Sequence, residues 1–152
     1  MSQIEIHEKP LPAVRLAARR SVVADQPEVA NVVGPAFDAV ATVIGDEPGN
    51  LETPIALYET VDEGLQVVVG YAYDGPARQG FEIIDLPKVE NAICGIHLGS
   101  MDHIAESWQA LHAEILARGF VPSGPCRELY VRAISADQAD WVTELQQPVV
   151  RA

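Results

Sequence analysis

The sequence predicts an α+β fold: two pseudo-symmetric βαββ repeats that form an antiparallel sheet, with both helices on one face and a ligand groove on the other. Three observations carry this reading. Short segments that alternate polar and apolar residues recur along the chain, the period of half-buried strands. Two longer segments, 25–45 and 100–119, place apolar residues at helical spacing instead. Each half contains the order strand, helix, strand, strand. The 152 residues fit one domain, 1–152, with repeat one at about 2–74 and repeat two at about 80–149. A chain of this size buries roughly 70% of its unfolded surface and needs no metal or disulfide staple.

Residues 3–8 alternate as a strand, and Lys9-Pro10-Leu11-Pro12 interrupts it, since proline fits an edge or a bulge. A second strand covers 13–23. Asp25-Gln26-Pro27-Glu28 offers a side-chain acceptor, a first-turn proline and negative charge, so a helix starts there. Val29, Val32, Val33, Phe37, Val40, Val43 and Ile44 continue it, Pro35 predicts a kink or restart, and Gly45 stops it. Strands follow at 54–59 and 65–73 around the turn Asp62-Glu63-Gly64. Residues 74–80 read as a linker. Strands at 81–86 and 89–98 lead to a second helix, capped by Ser100 or Asp102, with Ile104, Trp108, Leu111, Ile115 and Leu116 on one stripe and Gly119 at its end. Residues 121–125 form a loop, 126–131 a strand, 135–137 a turn and 141–149 the last strand.

Composition narrows the function. With 22 acidic and 10 basic residues the net charge is −12, which repels phosphate backbones and attracts cations, so direct nucleic-acid binding is not expected. No apolar run is long enough for a transmembrane helix, and the start lacks the basic and apolar regions of a signal peptide, so a cytoplasmic protein that does not bind membranes is expected. Cys94 and Cys126 lack the spacing of a metal site or redox pair and read as buried thiols. His97, His103 and His112 lack ligand spacing, so no metal is expected. No Walker loop, dinucleotide fingerprint or Gly-x-Ser-x-Gly elbow occurs, and no cofactor is implied.

The strand Cys126-Arg127-Glu128-Leu129-Tyr130-Val131 is the best site candidate. Strand side chains alternate, so Glu128 and Tyr130 share a face about 7 Å apart. The first repeat aligns Ala56-Leu57-Tyr58 with Glu128-Leu129-Tyr130, and Gly45 and Pro48 with Gly119 and Pro122. On this alignment Leu57 and Leu129 point at their helices, and Tyr58 and Tyr130 point away. The two tyrosines then flank a groove that has Ala56 on one side and the carboxylate of Glu128 on the other, suited to a small apolar or cationic molecule.

Several short motifs in this order resemble the GyrI-like domain, also called the bacterial transcription-activator effector-binding domain. They are Pro-Ile-Ala-Leu-Tyr (54–58), Gly99 before the second helix, the Trp108-to-Leu116 helix, Gly-Pro-x-x-Glu-x-Tyr (124–130) and Thr-Glu-Leu-x-x-Pro-Val (143–149). The resemblance covers nearly the whole chain. It implies a small-molecule-binding, drug- or toxin-sensing domain with an acidic residue at the base of its groove, here Glu128. Tyr130, Tyr58 and Glu144 match further family positions. Gln146 stands where drug-binding relatives often carry an aromatic residue, and Trp108 or Trp141 could replace that wall.

The expected ligand-binding set is therefore Glu128, Tyr130, Tyr58, Trp108, Glu144, Ala56, Trp141 and Tyr71, with Trp108 also fitting the helix core. The resemblance implies two alternatives. One is a hydrolase of cyclopropane-bearing genotoxins, with Glu128 activating water and Tyr130 donating a proton. The other is a gyrase-inhibitor-like protein that binds a protein partner through its acidic surface. The chain has no helix-turn-helix pattern, so a transcriptional role needs a partner. A monomer or weak dimer is expected.

Overall fold

A computed structural model describes residues 4–25, 28–133 and 137–152, apart from the side chain of Ala30. The described residues form strands β1 (Glu5–Leu11), β2 (Val14–Val23), β3 (Pro54–Val61), β4 (Gly64–Ala72), β5 (Glu82–Leu86), β6 (Val89–Leu98), β7 (Phe120–Pro122), β8 (Cys126–Arg132) and β9 (Val142–Arg151), with helices α1 (Val29–Ile44) and α2 (Ile104–Ala117). The fold is α+β, and every strand pairing within a unit is antiparallel. The chain divides into two compact units, residues 12–88 and residues 1–11 with 89–152.

The unit of residues 12–88 has strand order β3-β4-β2-β5, and α1 packs on β2 and β4. Ala17, Val40, Ile44, Tyr71 and Tyr73 form its core, with Phe37 and Phe81 against them. α1 runs unbroken through Pro35, and its start at Glu28 has no side-chain cap. The expected start at Gln26-Pro27 lies outside the described residues. Gly64 opens β4 at φ +138°, where a Cβ would stand 2.2 Å from the Val23 carbonyl oxygen. Only glycine fits that turn.

The other unit has the matching order β8-β9-β6-β1, with β7 on the far end of β9. Ile93, Leu111, Ile115, Phe120, Leu145 and Val149 form the core under α2. Ser100 accepts from the Asp102 amide, as a cap should, and a 3₁₀ turn over Met101–His103 precedes α2. Gly119 ends the helical region at φ +86°, whereas Gly45 keeps helical dihedrals. The two glycines therefore match in sequence but not in conformation.

Each repeat is a βαββ element completed by a strand from outside itself. β1 pairs with β6 and β5 pairs with β2. The crossings are Leu11-Pro12-Ala13-Val14 and Leu86-Pro87-Lys88-Val89. Their registers are reciprocal, Leu11 opposite Val89 and Val14 opposite Leu86. The Pro10 interruption is a register shift between Lys9 and Leu11 within edge strand β1, which is where a residue lacking an N–H is tolerated. The expected loop at 121–125 begins instead as β7. The expected turn at 135–137 lies mostly outside the described residues.

Leu111 is fully buried and Leu116, on the same helix, is 62% exposed. Leu111→Ala should lower unfolding free energy in urea by about 2–5 kcal/mol, and Leu116→Ala by less than about 0.5 kcal/mol. Equal effects would contradict the placement of α2.

Candidate functional site

β8 pairs with β9 so that Glu128 stands opposite Leu145 and Tyr130 opposite Thr143. Paired residues in an antiparallel ladder share a face. Leu145 lies in the core under α2, so Glu128 and Tyr130 face the helix. This corrects the expectation that Tyr130 points away from its helix and Leu129 towards it. The first repeat follows the same rule. Ala56 and Tyr58 pair with Val69 and Val67, which share the face of Tyr71, and Tyr71 packs on Phe37 of α1 with ring centroids 5.3 Å apart. Ala56 and Tyr58 therefore also face their helix.

Glu128 is 5% exposed. The Trp108 indole Nε1–H donates to its Oε2 at 2.8 Å. The Tyr130 hydroxyl donates to its Oε1 at 2.6 Å. Each carboxylate oxygen thus accepts from an aromatic residue. Trp108 reaches Glu128 because it sits at the edge of the apolar stripe of α2. Its ring packs on the core and its N–H points to β8. The core and site readings of Trp108 therefore hold together, as an amphipathic indole permits.

Glu144, Trp141 and Tyr71 have contacts of their own. Glu144 and Gln146 sit on β9 to either side of Leu145, so they project from the face opposite α2 and Glu128. There Lys9 Nζ lies 2.9 Å from both Glu144 oxygens, His7 Nε2 lies 3.7 Å away, and the Gln146 amide donates to Glu144 at 2.7 Å. Glu144 thus belongs to a polar cluster on the other face of the sheet from Glu128. Its partners on β1 could not be read from local pattern, because β1 meets β9 only through β6. Trp141 precedes β9, and its carbonyl accepts from the Gly99 amide. Tyr71 is a core residue of the 12–88 unit. Among the described residues, no three His, Cys, Asp or Glu side chains could hold a metal ion. No described helix is long and apolar enough to cross a membrane.

The two thiols report the electrostatics of the two faces. Burial, then the Glu128 carboxylate, pushes Cys126 up to about 12. Burial, then Glu144, pushes Cys94 up to about 12 against a smaller opposing effect of Lys9. Burial also lowers the value for Arg127.

No protein-family profile and no curated protein sequence matches the chain. Solved structures do. The EcmrR C-terminal domain superposes with TM-score 0.74 at 19% identity, over 99% of this chain and 100% of that one. SAV2435 bound to tetraphenylphosphonium superposes with TM-score 0.69 at 17% identity, over 98% of this chain and 94% of that one. A hydrolase from Listeria innocua superposes with TM-score 0.66 at 9% identity, over 96% and 92%. What the chain shares with these structures is the fold.

The thiol shifts give a pH prediction. An unfolded thiol loses its proton near about pH 8.5, and the folded chain keeps both protons to about 12. Above about pH 8.5 the unfolded state binds fewer protons, so stability falls as pH rises. Replacing both cysteines with alanine should make that fall shallower in urea titrations at pH 8 and pH 10. An unchanged slope would show that the thiols titrate normally.

Proposed function

We propose that this chain binds small lipophilic cations at the Glu128 carboxylate, as a sensor or carrier of drug-like molecules. The observation that carries the proposal is a buried carboxylate held by an indole N–H and a phenol O–H, in a fold that SAV2435 shares with a lipophilic cation bound. Carboxylate and aromatic faces both attract a cation, and the attraction grows where water is excluded. The net charge of −12 adds long-range attraction.

Calorimetry with tetraphenylphosphonium tests this. Glu128→Gln should weaken binding by about tenfold or more, about 1.4 kcal/mol, while the variant stays folded by circular dichroism. Affinity unchanged in the folded variant would refute the proposal.

A second reading rests on the 2.6 Å Tyr130–Glu128 hydrogen bond and on the fold shared with the Listeria hydrolase. In it Glu128 takes a proton from water as the oxygen attacks an electrophilic carbon, and Tyr130 protonates the leaving group. Turnover of an activated cyclopropane, abolished in Tyr130→Phe and Glu128→Gln, would establish it. No turnover by the unsubstituted chain across such substrates would remove it.

A further inference from the structure

In the unit of residues 12–88, β2 outruns the strand beside it. β5 pairs with Val14 to Ala18 only, and the last pair is Ala18 with Glu82. On its other side β4 accompanies β2 from Leu16 to Val23. Just before β5 the backbone turns at Gly80, where φ is +105°, a conformation that suits glycine. Among the described residues, no strand therefore pairs with residues 19–23 on the β5 side.

The backbone groups along that edge can be assigned. The Arg15 carbonyl accepts from the amide of Tyr73, the residue after β4, at 2.9 Å. Arg15 thus turns its backbone groups to the β4 side. Backbone groups alternate between the two sides of an antiparallel strand. Ala17, Arg19, Ser21 and Val23 then turn to β4, and Arg20 and Val22 turn their N–H and C=O groups to the open side.

A notch of about 380 Å³ lies there, lined by residues 18–21 and 80–82. Consecutive residues of β2 line it, so both faces of the strand contribute, as they do at an edge. Ala17 packs under α1, which puts Arg19 on the α1 face and Arg20 and Val22 on the other. The Arg19 Nε–H donates to the Gly80 carbonyl at 3.0 Å, and this holds the guanidinium at the end of the notch that Gly80 and Phe81 close. Arg20 lies 3.7 Å from Glu82 with both side chains about half exposed, so water screens the pair. Val22 is 50% exposed. β2 carries Arg15, Arg19 and Arg20 and no acidic residue, in a chain of net charge −12.

We propose that this edge captures the C-terminal end of an extended peptide from a protein partner. The guest adds as an antiparallel strand and exchanges both backbone hydrogen bonds with Val22 and with Arg20. It runs towards β5 and has to end where Gly80 and Phe81 fill the line, which selects a chain terminus over a through-going strand. Its terminal carboxylate meets Arg19, and an acidic side chain on its last residue meets Arg20. An apolar side chain two residues earlier covers Val22. A second copy of the same edge fits less well, because pairing Arg20 with the copy's Val22 brings the two Arg20 side chains together diagonally on one face. Nothing in this site depends on Glu128.

The test titrates the ¹⁵N-labelled full chain with acetyl-Thr-Val-Thr-Glu as the free acid and, separately, as the C-terminal amide. Saturable shifts centred on the Arg20 and Val22 amides are expected, with slower hydrogen exchange at both. The amide form should bind about tenfold more weakly, and Arg19→Gln should bring the free acid down to the same level. Val22→Pro removes an edge N–H and leaves the β4 ladder intact, so it should abolish the binding. Arg19 is exposed, and its variant keeps the test decisive if Val22→Pro disturbs folding. Equal affinity for acid and amide, the same response to acetate alone, no saturation, or shifts centred elsewhere would overturn the proposal.

Discussion

A carboxylate on the helix-facing side of a strand is the constraint around which the α2 unit is arranged. Taking such an ion out of water costs several kcal/mol even after relaxation. Hydrogen bonds to a charged group return about 1.5–3 kcal/mol each, and Glu128 receives them from Trp108 and Tyr130. Cost and return are of similar size, so Glu128 adds little to stability and an apolar residue of its volume would serve the core as well. What the arrangement does fix is geometry. α2 must cross at the height that brings Trp108 to β8, and β8 must keep the register that puts Glu128 opposite Leu145.

The same register separates two acidic centres by one residue step. Leu145 faces α2, so Glu144 faces away, and the two glutamates lie on opposite sides of one sheet. One is held by neutral aromatic donors. The other is held by Lys9 with a glutamine and a histidine nearby.

Much of the fold was legible in the sequence, and the reasons are local. Alternation marked β1, β2 and β8, β-branched and aromatic residues marked β4, and the stripe from Ile104 to Ile115 marked α2. Alternation also shows which residues of a strand share a face. It does not show which face the helix covers, because that depends on pairing with a distant strand. Leu129 and Leu57 were expected under the helices because they are the apolar members of their strands. The rule failed at Glu128, where two donors make a buried carboxylate tolerable. The exchange of β1 and β5 was illegible for a related reason: pairing β1 with β6 joins residues some eighty positions apart. The repeated Leu-Pro-x-Val at 11–14 and 86–89 was its one local signal.

The sequence contains two tryptophans, which makes the central claim directly measurable. In a ¹⁵N spectrum each gives one indole N–H signal, and Trp108→Phe assigns them. If a cation binds at Glu128, titration with tetraphenylphosphonium moves the Trp108 signal as its bond to the carboxylate is weakened, and leaves the Trp141 signal in place. A bound cation that leaves the Trp108 signal unmoved would contradict the account.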